Sequence, residues 1–356
     1  MQKLVLVCTV LVCSCGVKQS KPAEGIPLDN VLYASTFHFE VIEGQEHVVV
    51  DEPWPGSKEK KRYSLDKPLK RIVCTSTSHL PYFELLGLED LVVGFPNVEY
   101  ISSEKFNQKV QNGTLLDLGS GNSLNMEALI GLNPDAVIAF DIGTESNTLG
   151  KVKEVGIPVY YNSDFLEKSP LGRAEWIKFF GAIFGREKKA DSIFAKIESD
   201  YNGLKQLTSQ VKDRPTILSG VVYGDAWFAP GGQNWAATFF ENAGGRYLWE
   251  NDSTSGWLEL SFESVYERSS EADYWLGVST VKSKKELSGL DVRYESFAPY
   301  TQDRVYNYNK KLGPKGGIDF FESGYARPDL VLADLISIIH PQLLPRYETF
   351  YFQQLK

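Results

Sequence analysis

Positive charge is in short supply in this 356-residue chain: 37 Lys and Arg stand against 46 Asp and Glu, a formal net charge of −9. With no basic stripe to displace counterions from phosphates, nucleic acid is excluded as a partner. The densest basic run, Lys58 to Arg62, reads as a solvated loop. Histidine is scarcer: His38, His47, His79 and His340 are scattered, with no two at helical spacing. No protein-ligated metal site is therefore expected. There is no Gly-x-Ser-x-Gly elbow and no P-loop, and "GSGNSL" (residues 119–124) lacks the third glycine of a dinucleotide fingerprint. The absence of a nucleophile–base arrangement also argues against an enzyme.

Cysteine is rare, and three of the four cysteines fall in the first fifteen residues, "MQKLVLVCTVLVCSC". That segment has one early Lys and an apolar run too short to span a bilayer. Val12-Cys13-Ser14-Cys15 has the shape of a bacterial lipoprotein cleavage box, with Cys15 as the residue to be acylated. The alternative is a plain secretory signal with incidental cysteines. Cleavage before Cys15 leaves a single free thiol, Cys74, in the apolar run "RIVCT", so no intramolecular disulfide can form. The expected organisation is a signal peptide over 1–14, a tether over 15–29 and an N-terminal β extension over 30–66, built as a hairpin around Gly44.

From Arg71 short apolar runs alternate with helical stretches and Gly stops, as in a parallel sheet with helices on both faces. This pattern defines an N-terminal lobe over 67–168 and resumes in a C-terminal lobe over 214–356. Between them, 169–213 is helical. "PLGRAEWIKFFGAIFG" reads as one helix, and a second runs from Glu187 to about Val211, with apolar residues at three- and four-residue spacing. The fold class is α/β: two Rossmann-like lobes joined by one long helix. Both lobes carry the same unit. "NMEALIGLNPDAVIAF" and "SFESVYERSSEADYWLG" each set a Glu in a short helix, then an Asp, then an apolar strand. Asp135 and Asp273 read as turn residues leading into those strands.

Ligand crevices in doubly wound sheets form at the carboxyl ends of strands. Ser76, Ser78, His79 and Tyr82 follow the first strand of the first lobe, and Asp141 follows another. Across from them, "VYGDAWFAPGGQNW" and "GRYLWENDSTSGW" put Tyr223, Trp227 and Trp257 on Gly-rich loops, a wall suited to a large, flat, partly apolar ligand.

In the order and spacing of "RIVCTSTSHLPYFELLGLEDLVVGF", the paired Glu units, the midpoint helix, "GGQNWAATFFENAGG" and "GYARPDLVLADLISIIHPQLLP", the chain resembles the substrate-binding lipoproteins of ABC importers for ferric siderophores, haem and cobalamin. The resemblance spans about Pro68 to Pro345. It implies a non-enzymatic monomer that is exported and lipid-anchored to a bacterial membrane, facing the periplasm. It would have no cofactor of its own, and iron or cobalt would enter only inside the ligand. It further implies that Glu127 and Glu263 dock on arginines of a permease dimer, that Arg293 and Arg327 serve a catecholate ligand, and that Trp227 and Trp257 suit a corrinoid. Two alternatives stand beside it: a surface lipoprotein that scavenges without a permease, and an enzyme on a chelatase-like scaffold.

Overall fold

A computed structural model describes residues 31–120, 123–143 and 147–356. The signal segment, the tether and Cys15 lie outside the described residues.

The first lobe is built on five parallel strands in the order Val159–Tyr161, Ala136–Ala139, Ile72–Cys74, Val92–Phe95 and Leu116–Asp117. Ile72–Cys74 and Ala136–Ala139 are buried at every position, as strands covered on both faces must be. The second lobe repeats the plan with Arg246–Tyr247, Thr216–Leu218, Tyr274–Leu276 and Val305–Asn307 parallel, and closes with Gln353–Gln354 antiparallel.

The repeated Glu–Asp unit does the same job in both. Its helix is Met126–Leu132 in one lobe and Phe262–Ser269 in the other, capped by Asn125 on the Ala128 N–H and by Ser261 on the Ser264 N–H. Its strand then lies beside the lobe's first strand. Asp135 and Asp273 do more than make a turn. Asp135 Oδ2 accepts from Lys70 N and Arg71 N at 2.7 and 2.9 Å, and Asp273 Oδ2 accepts from Thr216 N at 2.7 Å. Each carboxylate pins the start of the first strand in its lobe.

The midpoint helix runs Glu187–Thr208, 22 residues and about 33 Å at ~1.5 Å per residue. It stops short of Val211, and at its end the Thr208 hydroxyl lies 2.9 Å from Lys205 O and 2.7 Å from Asn242 O. Ala190, Phe194, Ile197 and Tyr201 form its buried stripe, which packs on Ile177–Ile183 and Pro328–Ile339. "PLGRAEWIKFFGAIFG" is two helices rather than one, Pro170–Glu175 and Ile177–Ile183, meeting at Trp176. Both are buried on all sides. "TILSGVV" also divides, into Thr216–Leu218 and Val221–Tyr223, which belong to different sheets. Gly220 makes the break: its φ is +91°, and a Cβ there would lie 1.9 Å from Phe228 O.

The N-terminal extension is more than a hairpin. Phe37–Ile42 and Gln45–Val50 pair through a turn with Glu43 and Gly44 both at positive φ, and Lys61–Ser64 adds a third antiparallel strand. Residues 32–36 are tied to two buried carboxylates, Glu167 at the end of the first lobe and Glu175 in the helical linker. Glu175 accepts from the Leu32, Tyr33 and Ala34 amides, and Glu167 accepts from those of Ser35 and Thr36. The lobes also touch directly. Glu322 of the second lobe accepts from Ser102 N and Ser103 N of the first at 2.7 and 2.9 Å. Beside it, Ser102 Oγ donates to Asp319 Oδ1 at 2.7 Å.

Candidate functional site

A cleft of about 620 Å³ opens at the carboxyl ends of the strands, where the lobes face each other. Twelve of its 23 lining residues are aromatic, and Arg173 is the one charged residue among them. The second lobe supplies most of the wall. Val221–Tyr223, Ala226–Pro230 and Trp257–Leu260 form a small antiparallel sheet in which Tyr223 pairs with Ala226 and Trp257 with Pro230. That sheet presents Tyr223, 80% exposed, and Trp257, 61% exposed, with Phe228 between them. Ser219 and Gly220, then Gly277 and Ser279, follow the strands Thr216–Leu218 and Tyr274–Leu276 and form the polar part of the rim. From the other side come Phe165 and Arg173, with Phe140 edge-on to Phe165 at 6.3 Å.

Arg173 is the electrostatic centre of the cleft. Its guanidinium lies 3.4 Å from the Tyr325 ring centroid and 5.7 Å from that of Trp235. Asp164, itself buried, stands 3.9 Å away. The Arg173 Nε has no hydrogen-bond partner within the protein. Burial raises the Asp164 carboxyl above its ordinary range, opposed by the Arg173 charge. Tyr82 completes the group: its hydroxyl donates to Arg173 O at 2.9 Å, with Asp164 Oδ2 at 3.3 Å.

A second groove between the lobes, about 800 Å³, has a different character. Glu84, Lys105, Lys311, Asp319, Glu322 and Arg327 line it, so charges of both signs face one another and the aromatic wall is missing. Ligand pockets are mainly apolar with a few placed polar groups, which favours the aromatic cleft.

Against the residues expected from sequence, the structure brings Tyr223 and Trp257 to the cleft and leaves the others elsewhere. Trp227 is fully buried one position before Phe228, because successive strand residues point to opposite faces. Its indole donates to Ser219 O at 3.0 Å and stacks on Trp275 and Phe297. His79 is buried, 1% exposed, with neither ring nitrogen partnered, and burial holds its pKa down at about 3, so it is neutral. Ser76 and Ser78 hold the preceding turn, their hydroxyls 2.9 Å apart. Tyr82 is a core residue stacked on Phe180 at 4.6 Å. Asp141 Oδ1 accepts from Gly143 N at 2.8 Å and is spent on a turn. Arg293 sits on the outer surface, paired with Asp291 and lying over Phe262. Arg327 pairs with Asp329 in the second groove. Arg173 escaped notice because "PLGRAEW" reads as a buried apolar helix. The available signal was that an unpaired charge in such a helix is costly and needs a reason.

Glu127 and Glu263 are exposed and occupy the same place, second in their helices after a capping side chain. Glu263 lies 3.9 Å from Arg293, and among the described residues Glu127 has no ion-pair partner. Among the described residues, no group of three or more His, Cys, Asp or Glu side chains is placed to hold a metal ion.

Comparison with known proteins gives a consistent picture. The profile of a family described as "Periplasmic binding protein" matches residues 72–292, more than half of the chain. An uncharacterised lipoprotein of Methanocaldococcus jannaschii is 26% identical over 317 residues, covering 85% of this chain and 73% of the relative. A vitamin B12-binding protein of Vibrio parahaemolyticus is 22% identical, covering 58% of this chain and 70% of the relative. Among solved structures, a periplasmic haem-binding protein of Vibrio cholerae superposes with a TM-score of 0.57 at 18% identity. That likeness covers 74% of this chain and 98% of the other, and it bears on the fold.

Proposed function

The chain belongs to the periplasmic binding protein family, and from there we propose that it is the solute-binding component of an ABC importer whose cargo is a flat macrocyclic metal chelate, haem or a corrinoid. As a member of that family it binds solute and catalyses nothing. The observation that carries the choice of cargo is the cleft: twelve aromatic residues and one cation. Rings on both walls can cover the faces of a large conjugated ligand. A tris-catecholate ferric complex carries several negative charges, and burying these against a single Arg173 leaves most of them uncompensated. Among the cargoes of such importers, the low charge of this cleft therefore favours the macrocycles.

In this reading Trp257 and Tyr223 cover one face of the ligand, and Arg173 meets an acidic or amide substituent on its edge. Glu127 and Glu263, one on each lobe at matching helix positions, are the prongs that meet arginines of a two-fold permease. The protein is exported and held to the membrane through acylated Cys15. The M. jannaschii relative's lipoprotein description supports that anchoring.

Titration of the tryptophan fluorescence with hemin, cyanocobalamin and a ferric tris-catecholate tests the cargo. Quenching is expected with a macrocycle and should weaken in Trp257→Ala. Binding of the catecholate alone, or of none of the three, sinks the proposal. Substituting Glu127 and Glu263 together by Ala should abolish uptake in cells while ligand binding persists. Undiminished uptake would refute the docking role.

A further inference from the structure

The N-terminal extension lies outside the matched family region, which begins at residue 72, yet at three points it touches first-lobe residues that flank the segments leading to the cleft. The first is the connection between its second and third strands. The Trp54 ring packs edge-on to Tyr161 at 5.6 Å, and Lys61 Nζ sits 5.3 Å from the Trp54 ring centroid. Gly143, at φ +76°, lies under it: a Cβ there would stand 3.4 Å from Trp54 Cδ1 and 3.5 Å from Pro55 O. The second point is Tyr63. Its ring stacks on Tyr160 at 4.2 Å, and its hydroxyl accepts from Tyr161 N at 2.8 Å. That amide belongs to the edge strand of the five-stranded sheet, so the phenol closes an edge that would otherwise need water or another strand. The third is Glu167, which takes the amides of Ser35 and Thr36.

These ties bracket two segments. Residues 140–143 follow the strand Ala136–Ala139 and expose Phe140 at 42% and Ile142 at 56%. Residues 162–166 follow the strand Val159–Tyr161 and present Phe165 to the cleft. Phe140 and Phe165 meet edge to face. Apolar side chains that face a cleft gain nothing from burial until ligand arrives, so their placement depends on what stands behind them. The extension's contacts fall at the ends of both segments: Trp54 and Pro55 at Gly143, Tyr63 at Tyr160 and Tyr161, and Ser35 and Thr36 at Glu167.

We propose that the N-terminal extension is a positioning element of the ligand cleft, with Trp54 and Tyr63 as positioning residues that hold Phe140 and Phe165 in place for the ligand. This rests on the reading of the aromatic cleft as the ligand site.

Two measurements on the full-length protein test this. The first needs no ligand: hydrogen–deuterium exchange of unliganded Trp54→Ala and Tyr63→Phe. Exchange should rise at 140–143 and 161–166 and stay unchanged at Ser219–Tyr223 on the opposite wall. Unchanged exchange at the first two segments overturns the proposal, as does a uniform rise everywhere. Tyr63→Phe removes one oxygen and keeps the ring, so it remains informative if Trp54→Ala folds poorly. The second is a double-mutant cycle of Trp54→Ala with Phe140→Ala, read by hemin and cyanocobalamin titration. Each single change should weaken binding about fivefold, with the double change little worse than either. Additive effects overturn the proposal. If Phe140→Ala and Trp257→Ala both leave the titrations untouched, the cleft is not the ligand site, and the exchange data alone decide whether the extension orders this wall.

Discussion

The two lobes share a strand plan and divide the work of the cleft unequally. Asp135 and Asp273 pin corresponding strands, and Glu127 and Glu263 sit at corresponding helix positions. Among the described residues, the second lobe alone inserts a three-stranded antiparallel sheet, Val221–Tyr223 with Ala226–Pro230 and Trp257–Leu260, and the second lobe supplies most of the aromatic wall. The first lobe contributes Phe165, Asp164 and a wall supported from outside by the extension, and the helical linker adds Arg173, the partner of Asp164. Duplicated backbone needs therefore preserve a repeated unit, whereas each lobe lines the cleft differently. Symmetry in this molecule belongs to the scaffold and to the matching positions of Glu127 and Glu263, and the cleft is asymmetric.

The comparison can be broken most forcefully at Arg173. Removing one member of a buried ion pair strands the other, so Arg173→Ala should cost about 3–5 kcal/mol in urea unfolding and abolish ligand binding. Adding Asp164→Asn should recover much of the stability and none of the binding. Recovery of both would mean that Arg173 serves the fold alone.

The next effect separates two tryptophans of the second lobe. Trp227→Ala should lose about 3–5 kcal/mol, as large core truncations do. Trp257→Ala, at an exposed position, should stay within about 0.5 kcal/mol of the parent while its affinity for hemin or cyanocobalamin falls. Equal stability losses would contradict the placement of Trp257 on the cleft.

Titration should distinguish the lobes in opposite directions. Burial lifts Glu322 from 4.5 up to about 7. The folded state thus keeps a proton that the unfolded chain gives up, and this contribution to stability is lost as pH rises through about 7. Burial lowers His79 from 6.5 to about 3. Here the unfolded chain takes a proton that the fold refuses, so stability is lost as pH falls below the ordinary histidine range. Thermal midpoints measured between about pH 4 and pH 8 should flatten on the alkaline side in Glu322→Gln and on the acid side in His79→Phe. The same change in both variants would refute the assignment.

The smallest effect concerns the repeated carboxylates. Asp135 accepts two backbone amides with its side chain and Asp273 accepts one. Each bond to a charged group contributes about 1.5–3 kcal/mol where it is sheltered, and less at the exposure found here. Asp135→Ala should therefore destabilise more than Asp273→Ala in matched denaturant titrations. The reverse order would show that the number of amides each carboxylate accepts does not set its contribution.

Much of this architecture was legible in the residues. Short buried strands such as "AVIA", the stripe of Glu187–Thr208 and the Gly stops are local signals, and local signals survive without knowledge of neighbours. What failed did so for identifiable reasons. "TILSGVV" reads as one mainly apolar run, and its pattern does not show that Gly220 turns the chain from one sheet into another. Trp227 and Phe228 are adjacent aromatics, and which of them faces the cleft depends on register against Trp257–Leu260. Arg293 and Arg327 looked available because their partners, Asp291 and Asp329, lie two residues away and form the pairs only in the folded conformation.

The sequence by itself determined the periods: which segments are strands, which is the long helix, where the two lobes divide and where a Glu–Asp unit recurs. These follow from side-chain spacing and backbone preference, which act over a few residues. Only the tertiary structure decided which of many aromatic residues face the cleft, that Arg173 is its cation, and that a segment outside the family's common region stands behind one of its walls. Those outcomes depend on contacts between residues far apart in the chain, such as Trp54 with Tyr161 and Arg173 with Tyr325, and no local pattern encodes the distance between them.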